Sequence, residues 1–154
     1  LEAKGLVNKT KVKDYAGLIK YWLEVKTKAD RKDYMHRDPL SLLRQPSLQY
    51  ALTTYQAENI VQNYLFPSRI DLYIRTEDAE QWHELITKEG LVGKGNLRLL
   101  IADEHVFYGS FEQRGLNIIS LPQLIVDLFE EGSVCVTAAE KLLEKVVKDI
   151  VRTR

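Results

Sequence analysis

Apolar residues recur at helical spacing near both ends of this chain and alternate in its middle. Leu18, Ile19, Trp22, Leu23 and Val25 form a stripe that predicts a helix over 15–28, with Asp14 as its cap. The charged run 26–33 reads as an exposed connection. Asp38-Pro39 marks a helix start with Leu40, Leu42 and Leu43 on the buried side, and Pro46 ends it. Ser47 caps a further helix running through 50–61, with a short strand over 49–52 as an alternative for its first part. Ile70, Leu72 and Ile74 alternate and predict a strand. A helix follows that opens on the acids of 76–80, buries Trp82, Leu85 and Ile86, and stops at Gly90.

Three further strands are predicted at 97–101, 105–108 and 116–120, with a turn at Asp103-Glu104. Leu124, Ile125, Leu128 and Phe129 then mark a helix over 122–131, ended by Gly132. Thr137 caps a last helix, 138–152, whose stripe is Ala138, Leu142, Leu143, Val146, Val147 and Ile150. The order is helices, then strand–helix–strand–strand–strand, then two helices. That layout predicts an α+β fold with a single mixed sheet of about four to five strands packed with helices.

Composition narrows the class. At 154 residues one domain is expected, or one domain carrying a fragment of another. A hydrophobic share of 45% supplies enough apolar surface to fold, which excludes a disordered chain. No apolar run approaches the roughly 18 residues of a membrane helix. One cysteine, Cys135, excludes an internal disulfide and suits a reducing cytoplasm. The charge sums to zero but is uneven. Residues 1–46 hold 11 basic and 6 acidic side chains, whereas 47–110 hold 5 and 9. A basic first third therefore faces an acidic middle.

Candidate chemistry is sparse. His36, His83 and His105 have no zinc-ligand spacing. Cys135 sits between Val134 and Val136, where burial would leave the thiol inert. Gly90, Gly93 and Gly95 precede a strand, not a helix, so they lack a phosphate-binding helix start and read as a flexible loop. A nuclease trace fails because Asp38-Pro39 is reversed and Glu24-Val25-Lys26 falls in a predicted helix.

The most informative run is Arg69-Ile70-Asp71-Leu72-Tyr73-Ile74. Metal-dependent nucleotidyl transfer needs two carboxylates two residues apart on a strand, so that both face one side and bridge divalent ions. With 50–57 before it, this run resembles the minimal nucleotidyltransferase pattern, in which a glycine pair opens a helix and an Arg-x-(x)-Asp-hydrophobic-Asp strand follows. Thr53-Thr54 replaces the glycine pair, and Tyr73 replaces the second carboxylate. Tyr73 is no hard oxygen ligand for Mg²⁺, so the resemblance is to the fold, a degenerate nucleotidyltransferase-like one, and not to the activity. The plain alternative is an ordinary strand with one charged residue facing solvent. An active metal site would have to recruit other acids to Asp71, such as Asp103.

The opening Leu-Glu-Ala-Lys-Gly carries no signal-peptide pattern. With Leu1 in place of an initiator Met, the expectation is a fragment. Residues 1–7 are similar to the end of a winged-helix recognition helix, with Gly5 at the C′ position and Leu6-Val7 entering the wing. A generic helix end followed by a solvated lysine loop accounts for the same residues.

Taken in order, the chain resembles the AbiEi-like antitoxin transcriptional regulators of type IV (abortive-infection) toxin–antitoxin systems. The resemblance rests on 1–7, on 12–22, on Tyr50-Ala51-Leu52-Thr53-Thr54-Tyr55-Gln56-Ala57, where Thr54 stands at a usual glycine, and on 119–128 and 138–142. It implies that 1–13 are the tail of a winged-helix DNA-binding domain and 14–154 an α+β C-terminal regulatory domain. Lys4, Lys9, Lys11 and Lys13 would then contact DNA phosphates. It further implies a non-catalytic cytoplasmic domain with no cofactor, metal or membrane partner. It would act in protein interaction and autoregulation, with operator DNA through the winged helix, a cognate nucleotidyltransferase toxin and a second copy by self-association as its partners. The alternative is a metal-dependent nucleotidyltransferase or nuclease domain.

Overall fold

The structure, a computed structural model, describes residues 30–44 and 48–152. The predicted helix 15–28 lies outside them, as do residues 1–13. Among the described residues the chain forms strands β1 (Asp30–His36), β2 (Tyr50–Thr53), β3 (Ile70–Arg75), β4 (Gly90–Val92), β5 (Leu97–Ala102), β6 (Phe111–Gln113) and β7 (Leu116–Ile118). The helices are α1 (Thr54–Val61), α2 (Ala79–Thr87), α3 (Leu121–Glu131) and α4 (Val134–Arg152), joined by short 3₁₀ turns. The fold is therefore α+β with one mixed sheet, but of seven strands and not four to five. Their order is β4-β1-β5-β3-β2-β7-β6.

β3 is central and buried on both faces, which its alternation Ile70, Leu72, Ile74 against Asp71, Tyr73 permits. It runs antiparallel to β2 and parallel to β5. The Ile70–Leu72–Ile74 face continues through Leu52 and Tyr50 of β2 and Leu97, Leu99 and Ile101 of β5. Helix α2 covers this face: Trp82 meets Tyr50 edge-on with ring centroids 6.5 Å apart, and His83 Nδ1 lies 2.9 Å from the Tyr34 hydroxyl. The opposite face carries the polar residues of β3 and meets α3. Helix α3 opens on Ser120, whose hydroxyl accepts from the Gln123 N–H, with Pro122 in its first turn. Helices α1 and α4 pack against α3 and complete the second layer.

Several local expectations are corrected. The charged run 26–33 is not all connection, because 30–33 belong to β1, where Asp33 pairs with Arg98 of β5 in register. The segment 50–61 is not one helix: the alternative of a short strand before the helix holds. The strand expected at 105–108 is a 3₁₀ turn over Glu104–Phe107, since the Asp103 carboxylate caps the His105 N–H and starts a helical turn. The glycine loop 90–95 begins as strand β4, paired with β1. Helix α4 starts at Val134, before Thr137.

Candidate functional site

The site is the polar face of the sheet where β2 passes into α1. Asp33 of β1, Arg98 of β5, Asp71 of β3 and Thr53 of β2 lie in one cross-strand row. Asp71 is 1% exposed. Arg69 grips it with both ends of its guanidinium, Nε to Oδ1 at 2.6 Å and Nη2 to Oδ2 at 2.7 Å. The Thr54 hydroxyl donates to Oδ2 at 2.6 Å. Arg69 also reaches Glu131 at the end of α3 at 3.1 Å and lies over the Tyr55 ring at 5.3 Å. Asp71 and Glu131 raise the Arg69 pKa above its ordinary value, so the guanidinium stays charged.

A second network lies beside the first. Asp127 of α3 accepts from the Thr53 hydroxyl at 2.6 Å, the Tyr73 hydroxyl at 2.8 Å and Gln123 Nε2 at 3.0 Å. Burial, then the Asp127 carboxylate, pushes the Tyr73 pKa strongly upward, so its hydroxyl remains a donor. Tyr55, near Glu131 and Cys135, is pushed up to about 12, chiefly by burial. Burial likewise raises the Cys135 thiol, in keeping with an inert cysteine.

Thr54 has φ +49°, in the left-handed region that a β-branched residue rarely adopts. The backbone thus takes a glycine-type conformation at a threonine. The hydroxyl-to-Asp71 bond accompanies that strain.

No family model, curated protein or solved structure matches this sequence. Two adjacent threonines, Thr53 and Thr54, hold two separate carboxylates, and each carboxylate is saturated by protein donors. A divalent ion would have to displace Arg69 from Asp71. Among the described residues no group of three or more His, Cys, Asp or Glu side chains is placed to hold a metal. Asp103 does not join Asp71: it lies five residues along from Arg98, the register partner of Asp71, or about 16 Å at strand spacing.

The remaining candidates are dispersed. His36 is buried and its Nδ1 accepts the Asp38 N–H at 2.9 Å, while His105 is exposed on its turn. Lys4, Lys9, Lys11 and Lys13 lie outside the described residues. Asp127 and Glu131 are functional carboxylates that the motif spacing does not single out. Both fall four apart on α3, on or beside the apolar stripe of Leu124, Ile125 and Leu128, and a carboxylate placed there is the signal that pointed to them. Nor do the motifs mark Glu58, fully buried, which accepts from the Tyr64 and Leu65 N–H groups and pins the loop before β3.

Proposed function

We propose that this chain is the non-catalytic C-terminal domain of a prokaryotic transcriptional regulator of the AbiEi-like antitoxin kind, built on a silenced nucleotidyltransferase-like fold. The observation that carries the reading is the closure of Asp71 by Arg69 and Thr54, with Tyr73 at the second carboxylate position and bound to Asp127. A metal-dependent transferase needs open carboxylate oxygens facing the substrate. Here the acids are consumed in tying helix α3 to the sheet. The domain then acts by contact, on a nucleotidyltransferase toxin, while operator DNA is bound through a winged helix to which Lys4, Lys9, Lys11 and Lys13 contribute. Its compartment in this reading is the cytoplasm. Among the described residues no helix is long and apolar enough to cross a bilayer.

Calorimetric titration of Mg²⁺ or Mn²⁺, with a nucleoside triphosphate present, tests the reading. The expected result is no saturable binding by the wild-type protein. Saturable binding that disappears in Asp71→Asn would favour the nucleotidyltransferase or nuclease alternative. Salt dependence separates the two partner classes, because phosphate contacts weaken steeply with salt and apolar protein contacts do not.

A further inference from the structure

The loop between α1 and β3 holds apolar side chains out in water on a fixed backbone. Phe66 is 82% exposed and Tyr64 48%. The buried Glu58 carboxylate accepts the Tyr64 N–H at 3.2 Å and the Leu65 N–H at 2.7 Å, and Asn59 Nδ2 donates to the Leu65 carbonyl at 3.0 Å. Single apolar side chains on a surface are common. An aromatic one presented from a pinned backbone costs less entropy to bind, which suits it as an anchor for a partner.

The loop continues into a charged row on α4. Gln62 Nε2 donates to the Ala138 carbonyl at 3.1 Å, and the Tyr64 ring centroid lies 5.2 Å from Lys141 Nζ. Lys141, Lys145 and Lys148 are exposed and, at 3.6 residues per turn, fall within about 60° of one another round the helix. Val134, 57% exposed, opens the same row. Among the described residues none of the three lysines has an ion-pair partner. Glu140 and Glu144 lie about 100° and 60° round from Lys141, on the side away from Ala138, and Asp149 lies about 80° the other way, about two turns further along.

That layout discriminates between anionic partners. From Val134 to Asp149 the helix carries three lysines and three acids. Nucleic acid or an anionic membrane spreads negative charge over the whole exposed face, so attraction to the lysines is offset by repulsion from Glu140, Glu144 and Asp149. A protein helix can confine its acids to one edge, a turn apart, and set an apolar stripe beside them. We infer that the 62–66 loop and the Lys141–Lys145–Lys148 row form a docking surface for an acidic amphipathic helix of a second protein. Its carboxylates meet the lysines, and its apolar stripe closes over Phe66 and Tyr64. The surface includes no residue of the Asp71 site, so it stands or falls apart from the metal titration.

Fluorescence anisotropy of a labelled synthetic peptide, titrated with the full chain, tests it. The probe is a helix-forming peptide of about 15 residues, with glutamates a turn apart along one edge of a leucine stripe. The expected result is saturable binding with a Kd between about 10 µM and 1 mM, the range of small surface contacts. Phe66→Ser should weaken it at least about tenfold. Lys145→Glu/Lys148→Glu should lose the acidic peptide and instead bind the same peptide with lysines in place of its glutamates. The three substituted positions are exposed, so circular dichroism should show each variant folded. No saturable binding by about 1 mM, equal binding of a scrambled peptide of the same composition, or unchanged binding by Phe66→Ser would overturn the inference. So would a folded double variant that does not switch to the lysine peptide, or tighter binding of a single-stranded oligonucleotide or phosphatidylserine vesicles than of the acidic peptide.

Discussion

Removing Arg69 should be more damaging than removing the acid it grips. In Arg69→Met, Asp71 keeps the Thr54 hydroxyl but loses both guanidinium bonds while remaining 1% exposed. Breaking a buried ion pair by deleting one partner costs about 3–5 kcal/mol, because a charge is left without compensation. The Arg69 side chain is 19% exposed, and water entering there places the expected loss near the lower end, about 3 kcal/mol. Asp71→Asn leaves Arg69 its contact with Glu131 at 3.1 Å and its access to water. That variant loses charge-assisted hydrogen bonds only, or about 1.5–3 kcal/mol.

The double variant Arg69→Met/Asp71→Leu replaces the pair by apolar groups and should recover most of the Arg69→Met loss. Urea unfolding measures all three. With a slope of about 1.5–2 kcal/mol per molar, Arg69→Met should lower the midpoint by about 1.5–2 M at unchanged slope. A loss below about 1 kcal/mol for Arg69→Met, or a double variant no more stable than Arg69→Met, would show that Asp71 does not depend on Arg69. The carboxylate would then be available to a metal, and the case for a silent site would fall with it.

Three other outcomes follow from the same geometry. Thr54→Gly should be close to neutral, since relief of roughly 1–2 kcal/mol of left-handed strain offsets the lost bond to Asp71. Thr54→Val keeps the strain and loses the bond, so equal urea midpoints for the two variants would refute strain at this position. Tyr34, Tyr50, Tyr55 and Tyr73 all have raised pKa values from burial, so the folded state holds protons that an unfolded chain releases near pH 10. Their contribution is complete below about pH 10 and is lost as pH climbs toward about 12 for Tyr55. Of the eight tyrosines, ultraviolet titration should show these four ionising only with unfolding, and ionisation of all eight near pH 10 in a folded protein would contradict it. Cys135 is fully buried with a raised pKa, so a thiol reagent at pH 8 should label it only at the rate of opening.

The elements that the sequence predicts correctly are those whose signal is local. Ile70, Leu72 and Ile74 alternate because β3 is central, and Trp82 and Ile86 fall four apart because α2 buries one stripe. Ser120 and Pro122 mark the start of α3 by capping chemistry confined to one turn. What the pattern misses depends on distant partners. The segment 30–36 is too charged to read as a strand, yet Asp33 is matched by Arg98, 65 residues away. His105-Val106-Phe107-Tyr108 has strand-forming composition, but the Asp103 cap turns it into a helix. The site divides in the same way. Asp71 and its Arg69 neighbour are visible in one hexapeptide, whereas Asp127 is joined to Thr53 across 74 residues.

That division bears on what the buried carboxylates do for the fold. A saturated buried ion pair adds little net stability compared with an apolar pair of the same volume. Its effect is directional: a charged or doubly bonded carboxylate accepts only one placement of its donors. Asp127 and Glu131 are one turn apart on α3, and each meets a different network on the sheet, Thr53–Tyr73 for the first and Arg69–Asp71 for the second. Two such contacts fix both the rotation and the axial position of α3, which greasy packing of Leu124, Ile125 and Leu128 alone would leave free to slide. Thr53 and Thr54 are the hinge of this arrangement, since one donates to Asp127 and the next, through its unusual φ, to Asp71. A glycine at residue 54 would fit the backbone and leave Asp71 one donor short. The threonine accepts strain to complete the closure, and in doing so it makes the strand-to-helix turn a fastening for α3.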